Sequence, residues 1–128
     1  MPYSPGEVAE KTGFSIDTLR YYERIGLLAH VSRTANGRRA FTDDDVAWLG
    51  TLRCLRDTGM PIARMQRYAQ LTREEETEAE RLQILEEHDE EVGRRIAELQ
   101  AQRDHIRGKI AWYREMAALN PDPSEVSG

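Results

Sequence analysis

The residues best suited to nucleophilic, acid–base or metal chemistry are one cysteine, Cys54, and three histidines, His30, His88 and His105. They are scattered along the 128 residues, and none stands at the spacing of a nucleophile–base pair or of a metal-ligand motif. No glycine-rich loop that would cradle a phosphate accompanies them. We therefore expect no enzyme, no metal site and no bound cofactor. The single cysteine also cannot form a disulfide within the chain.

Arginine residues offer a second kind of chemistry, the binding of anions. Arg33, Arg38 and Arg39 flank the dipeptide Asn36-Gly37, which favours a tight hairpin because a type I′ turn needs positive φ at both central positions. We predict a small two-stranded wing with the three arginines near its tip. Arginines around a turn are also common as solvated surface charge, so the hairpin alone assigns no role to them.

Two short helices are predicted before this hairpin. Ser4 and Glu7 form the S-x-x-E pattern of a capping box at the start of the first helix, which stops at Gly13. Ser15 is the expected cap of the second helix, which ends at Gly26. Two short helices joined by a tight, glycine-containing turn form a helix-turn-helix pattern, although many helical hairpins share it.

Two further helices are predicted after the hairpin. Thr42 caps the first of them, and three aspartates at positions 43 to 45 follow in its first turn, where negative charge is favourable. Its apolar positions share one broad face that we interpret as the core of a compact N-terminal domain: Val46, Trp48, Leu49, Leu52 and Leu55. Gly59 ends this helix, and Pro61 begins a shorter one.

A long helix without proline is predicted from Arg73 to Ala118. Apolar residues recur in it at alternating spacings of three and four, which is a heptad seam. The seam positions are Leu82, Leu85, Asp89, Val92, Ile96, Leu99, Arg103, Ile106, Ile110, Tyr113 and Ala117. The N-terminal domain that precedes this helix is too small to bury such a seam, so we predict a coiled coil with a partner helix. Asp89 and Arg103 interrupt it, as polar residues do when they fix register or orientation at some cost in stability.

Charge is distributed unevenly between the two halves of the chain. The net charge of −5 argues against a nucleic-acid partner when it is taken as an average. Residues 1–72, however, hold ten lysines and arginines against eight acidic residues, a balance of +2, whereas residues 73–128 have a balance of −7. The first half must therefore be judged separately.

The sequence also bears on where the protein resides. No stretch approaches the roughly 18 consecutive apolar residues of a membrane helix. The N-terminus lacks the basic and then apolar run of a signal peptide, and the single cysteine gives no sign of an oxidising compartment. We expect a cytoplasmic protein without a membrane partner.

Residues 18–28, with the sequence TLRYYERIGLL, resemble the MerR family of transcription regulators. The NGRRAF stretch within residues 33–41 and the order of head, short linking helix and long terminal helix are similar to that family as well. The resemblance implies a fold that is all-α with a small β wing: a winged helix-turn-helix head plus a long C-terminal coiled-coil dimerisation helix. It implies a DNA-binding domain with its linking helix over residues 1–72, an antiparallel dimerisation helix over residues 73–119 and a flexible tail over residues 120–128.

The resemblance also implies partners. They are double-stranded promoter DNA, a second copy of the chain in a homodimer, and RNA polymerase in the promoter complex. Each head would place its recognition helix in a major groove and its wing against the flanking backbone. Members of the family typically bind a palindrome within an overlong promoter spacer and distort the DNA until the two promoter elements realign.

The family pattern then assigns roles to individual residues. Ser15, Thr18 and Arg20 lie in the first turns of the implied recognition helix, the part that commonly reaches base edges and phosphates. Arg20 suits either a guanine or a phosphate, and the sequence leaves both open. Tyr21 is assigned to DNA, while Tyr22 packs inside. The implied phosphate contacts of the wing are Arg33, Arg38 and Arg39, and the implied dimerisation residues are Leu85, Val92, Ile96, Leu99, Ile106, Ile110 and Tyr113.

Cys54 is the candidate sensor residue. The segment from Arg53 to Pro61 resembles the single-cysteine branch of the MerR family, which responds to aldehydes or to oxidative and nitrosative stress. A lone cysteine is also commonly a small, inert, buried hydrophobe. Three interpretations stay open: a regulator that senses through Cys54, a regulator with no thiol sensing, and a coiled-coil interaction module.

Overall fold

The computed structural model describes residues 2–28, 32–33, 35, 37 and 39–120. Most of them are helical, as the sequence predicts. The five helices of this part are α1 (Pro5–Thr12), α2 (Ile16–Arg24), α3 (Asp43–Asp57), α4 (Ile62–Thr72) and α5 (Glu78–Leu119). Two strands of two residues each, β1 (Ser32–Arg33) and β2 (Arg39–Ala40), lie between α2 and α3.

Local side-chain bonds explain where the first and third helices begin. The Ser4 hydroxyl accepts from the Glu7 amide at 3.2 Å, and the Glu7 carboxylate accepts from the Ser4 amide at 3.2 Å. The same reciprocal pair joins Thr42 and Asp45 at 3.1 and 2.9 Å. Each box satisfies amide groups that have no partner within the helix. The caps predicted at Ser4 and Thr42 are confirmed.

The core lies in the residues before α5, where α1, α2, α3 and α4 meet. Its buried members are Val8, Phe14, Leu19, Tyr22, Leu27, Leu28, Phe41, Leu49, Leu52, Leu55, Met60, Met65 and Ala69. Val46 and Trp48, predicted in the core, are only half-buried and pack against its edge. The Trp48 ring stacks on the Tyr68 ring with 5.7 Å between their centroids. Burial of apolar surface on this scale is the main force that holds helices of this length together.

The two strands pair antiparallel, with Ser32 opposite Ala40 and Arg33 opposite Arg39. The backbone of Tyr3 bonds to Phe41 through two hydrogen bonds of 2.6 and 2.9 Å, which tie the start of the chain to the residue after β2. Gly37 has φ of 77°, a value that favours glycine. Asn36, the other residue of the predicted turn, lies outside the described residues.

Helix α5 begins at Glu78, five residues later than the sequence predicts. The chain turns between α4 and α5, where Glu76 adopts a φ of 59°. The Thr77 side chain is buried there, and its hydroxyl donates to the Leu71 carbonyl at 2.7 Å. This contact with the end of α4 holds a turn in a stretch of glutamates that by itself favours helix.

The chain divides into two units, residues 1–88 and residues 89–128. The first unit, called the head below, contains α1 to α4, both strands and the first part of α5. The described part of the second unit is the remainder of α5 and Asn120, and none of the 42 residues of that helix is buried. Among the described residues, no helix has both the length and the apolar character that crossing a membrane requires.

Candidate functional site

The N-terminus of α2 is held by the side chain of Ser15. Its hydroxyl oxygen accepts from the Thr18 amide at 3.1 Å and lies 2.9 Å from the Thr18 hydroxyl oxygen. Ser15 is exposed and Thr18 is half-buried. Both side chains predicted to contact a ligand therefore also form the cap of the helix, as the sequence predicts for Ser15.

The two tyrosines of α2 point to opposite environments. Tyr22 is buried and packs edge-to-face on Phe14, with 5.2 Å between the ring centroids. Leu19 is buried beside it. Tyr21 is 40% exposed, and Arg20 is exposed as well. The outer face of α2 thus carries a cation and a phenol hydroxyl, both able to donate to phosphate oxygens or base edges.

Arg24 joins the same outer face. Its guanidinium lies 5.3 Å from the centroid of the Tyr21 ring, in a cation–π contact. Arg24 is exposed and stands one helical turn after Arg20. Arg24 was not among the residues predicted from the sequence, although its spacing of four residues from Arg20 places both arginines on one face of a helix.

Three side chains from later in the chain hold the loop that follows α2. Each donates a hydrogen bond to one of three consecutive backbone carbonyls, and we call these side chains the carbonyl clamp. The bonds are Gln66 Nε2 to the Ile25 carbonyl at 2.9 Å, Arg73 Nη2 to the Gly26 carbonyl at 2.7 Å, and Trp48 Nε1 to the Leu27 carbonyl at 2.8 Å. The clamp fixes the end of α2 to α3, to α4 and to the residue after α4.

The arginines of the hairpin are described only in part. Arg33 and Arg39 lie directly opposite each other in the β1–β2 pair. Their side chains and the whole of Arg38 lie outside the described residues. The backbone pairing nevertheless brings two of the three arginine positions to neighbouring places on one short sheet.

Cys54 lies in the last turn of α3 and is exposed. Its neighbours Arg53 and Arg56 both form ion pairs with Asp57, at 3.4 and 3.0 Å. The hydrogen bond from Arg56 is the main reason that the pKa of the Asp57 carboxyl is lowered. Both guanidinium groups beside Cys54 are therefore already paired with a carboxylate.

The surface around Cys54 is made of small side chains. Ala47, Gly50 and Thr51 are exposed, as is Cys54. A Cβ atom built on Gly50 would meet no atom within 4 Å. Within the described residues, no group of three or more histidine, cysteine, aspartate and glutamate side chains is arranged to hold a metal ion.

The seam residues of α5 are exposed apolar side chains. Ile96 is 51% exposed, Leu99 is 64% exposed and Ile106 is 57% exposed. Leu85, Ile110 and Tyr113 are also exposed, and Val92 is half-buried. Large apolar side chains that recur along one helix and remain in water are typical of a surface that another molecule covers.

Comparison with known proteins identifies the relationship. The family model described as MerR HTH family regulatory protein matches residues 3–72, and the model described as MerR, DNA binding matches residues 46–109. An uncharacterized HTH-type transcriptional regulator of Haemophilus influenzae is 41% identical over 120 residues, which cover 93% of this chain and 89% of that protein.

Solved structures show the same fold. HiNmlR, described as a MerR family regulator lacking the sensor domain and bound to promoter DNA, is 41% identical, with a TM-score of 0.83 over 93% of this chain and 95% of its own. A putative MerR family transcriptional regulator of Listeria monocytogenes is 35% identical, with a TM-score of 0.82 over 88% of this chain and 86% of its own. These relatives are transcriptional regulators and not enzymes. The chain belongs to the MerR family of helix-turn-helix regulatory proteins.

Proposed function

We propose that the protein binds a promoter palindrome as a homodimer and regulates transcription by distorting that DNA. The observation that carries the proposal is the outer face of α2, where Arg20, Tyr21 and Arg24 stand on a helix that is packed into the head through Leu19 and Tyr22. The similarity to HiNmlR, whose structure contains promoter DNA, supports the DNA-binding part of the proposal.

In this proposal α2 enters the major groove from its N-terminal end. Arg20 donates to a guanine edge or to a phosphate, and Tyr21 and Arg24 donate to phosphates on either side of the groove. Ser15 and Thr18, at the first turn, lie closest to the base edges. The β1–β2 hairpin acts as the wing, and Arg33, Arg38 and Arg39 bind the flanking phosphates without reading sequence.

The remaining parts of the chain have separate roles in the proposal. Residues 1–72 form the DNA-binding domain with its linking helix, and residues 73–119 form the dimerisation helix. The tail predicted at residues 120–128 lies, after Asn120, outside the described residues. The antiparallel dimer sets the distance between the two recognition helices, and a palindrome matches its twofold symmetry. The distorted promoter is the form that RNA polymerase engages, in the cytoplasm.

The test of DNA binding uses fragments from the protein's own promoter region. We expect Arg20→Ala to weaken binding to the operator most. Arg38→Ala weakens binding to all DNA sequences alike, and it reduces the slope of log K against log salt concentration by about 0.9 because one phosphate contact is lost. Arg67→Ala is the matched control, because Arg67 is exposed on α4 and forms an ion pair with Glu80. Wild-type affinity and salt dependence in both Arg20→Ala and Arg38→Ala would contradict the assigned surfaces.

Cys54 gives the proposal its second element, a response to reactive electrophiles or to redox stress. The supporting observation is an exposed thiol on a surface of small side chains, where added bulk would hinder the close approach of another helix. Promoter output is measured with and without an aldehyde or a thiol oxidant, in the wild type and in Cys54→Ser. An undiminished response in Cys54→Ser would exclude the thiol and leave a regulator without thiol sensing.

A further inference from the structure

Two seam positions of α5 carry charges of opposite sign. Asp89 and Arg103 are both exposed, and they are separated by 14 positions, which is two heptads. They therefore occupy the same place in the repeat. Within the described part of the chain, the ion pairs of α5 involve other residues, such as Arg94 with Glu91. Both charges are available to a second helix laid along the seam.

The relative direction of two such helices decides what these charges meet. In a parallel pair in register, Asp89 faces the partner's Asp89 and Arg103 faces the partner's Arg103. Like charges would then be brought together twice at a largely desolvated seam, which is strongly unfavourable. In an antiparallel pair, each aspartate approaches an arginine of the other helix. The charge pattern of the seam therefore favours antiparallel association.

The apolar positions define the register of the antiparallel pair. When Ile96 lies opposite the partner's Leu99, the seam positions from Leu82 to Tyr113 all find seam positions on the other helix. A shift by one heptad in either direction leaves apolar residues at one end of the seam without a counterpart. The register with the most complete burial is thus centred between Ile96 and Leu99.

This register also brings the charged groups within reach. Asp89 then lies three residues, about 4.5 Å along the helix axis, from the partner's Arg103. At the flank of the seam, Glu86 approaches the partner's Arg107 in the same way. Burial of the apolar positions therefore selects an arrangement in which the two charges are also able to pair.

We propose that Asp89 of each subunit forms an ion pair with Arg103 of the partner subunit, and that the two symmetry-related pairs set the direction of the dimer. The partner is a second copy of this chain, so the inference rests on the homodimer of the proposed function. The ion pair contributes chiefly to specificity, because a parallel pairing brings like charges together.

Charge reversal in the full chain tests the pairing, with the dimer dissociation constant measured by sedimentation equilibrium. Asp89→Arg alone and Arg103→Asp alone each place like charges together, and each raises the dissociation constant at least roughly tenfold, equivalent to about 1.4 kcal/mol. The double variant restores opposite charges and returns the constant to near the wild-type value. Glu90→Arg is the matched control, since it makes the same charge change at an exposed position outside the seam.

Each result has a distinct meaning. A double variant as weak as the single variants overturns the pairing. A wild-type chain that is monomeric at micromolar concentration overturns the homodimer itself. Helical content from circular dichroism is followed in all variants, and Asp89→Asn, which keeps the size of the side chain, gives a weaker loss than Asp89→Arg if the charge is responsible.

Discussion

Leu49 and Leu99 are the same residue type on two helices of one chain, yet Leu49 is completely buried and Leu99 is 64% exposed. Leu49 belongs to the head, whose helices cover one another's apolar faces. Leu99 belongs to the part of α5 beyond residue 88, where the chain provides no covering surface in the described residues. The head has a core of its own. The second half of α5 instead exposes an apolar face, which another molecule would have to cover.

The largest expected effect tests whether that covering molecule is a second copy of the chain. Ile106→Glu places a charge in the apolar seam, so we expect monomers at micromolar concentration and loss of operator binding, with the head still folded. Light scattering gives the mass and a gel-shift assay gives the binding. His105→Glu, one residue away and outside the seam, stays dimeric. A dimeric Ile106→Glu would show that the seam is not the interface.

The next effect concerns the free energy of unfolding in a monomeric background. In chains that carry Ile106→Glu, Leu49→Ala lowers it by about 2–5 kcal/mol because a cavity opens in the core. Leu99→Ala in the same background changes it by less than about 0.5 kcal/mol, since that side chain is already in water. Chemical denaturation measures both. Equal losses at the two leucines would contradict the exposure of Leu99 in a single chain.

A smaller effect concerns the carbonyl clamp. Gln66→Met removes the donor to the Ile25 carbonyl and keeps a side chain of similar length, so we expect a loss of about 1 kcal/mol in the stability of the head. Gln70→Met is the control, because the Gln70 amide bonds to the exposed Glu74 carboxylate one turn away, at 3.5 Å. The idea is rejected if the two substitutions cost the same.

The smallest effect depends on pH. A hydrogen bond from Arg64 is the main reason that the pKa of the Glu87 carboxyl is lowered in the folded chain. A lowered folded pKa stabilises the fold above the pKa of the unfolded chain, and this stabilisation is lost as pH falls through the folded value. Glu87→Gln should therefore reduce stability slightly near neutral pH and not at about pH 3. Because the pair is exposed, the difference is small. A larger loss of stability at acid pH than at neutral pH would contradict the lowered pKa of Glu87.

The sequence predicted the features that depend on near neighbours. The caps at Ser4, Ser15 and Thr42 are formed by residues three positions apart, and the seam of α5 is a simple repeat. The features that it did not predict depend on contacts between distant parts of the chain. The three bonds of the carbonyl clamp join residues that are 21, 41 and 47 positions apart in the sequence. No local sequence pattern predicts such bonds.

The late start of α5 has a similar origin. The residues before it favour helix by composition, and the turn exists because the buried Thr77 hydroxyl bonds to the end of α4. Phe14 is a second example, since a buried aromatic residue in a short interhelical turn has no periodic signal. For the candidate site, the sequence identified Arg20 and Tyr21 but not Arg24, because the motif that carried the resemblance drew attention to its first half.

The exposed seam also has a consequence for dosage inside a cell. If only the paired form binds the operator, then at low expression the active species grows with the square of the number of chains, because two must meet to form it. A twofold rise in synthesis would give an about fourfold rise in occupancy of an operator that is far from saturation, without any ligand. The exposed apolar seam of α5 would thus make the activity of the regulator depend on its own concentration.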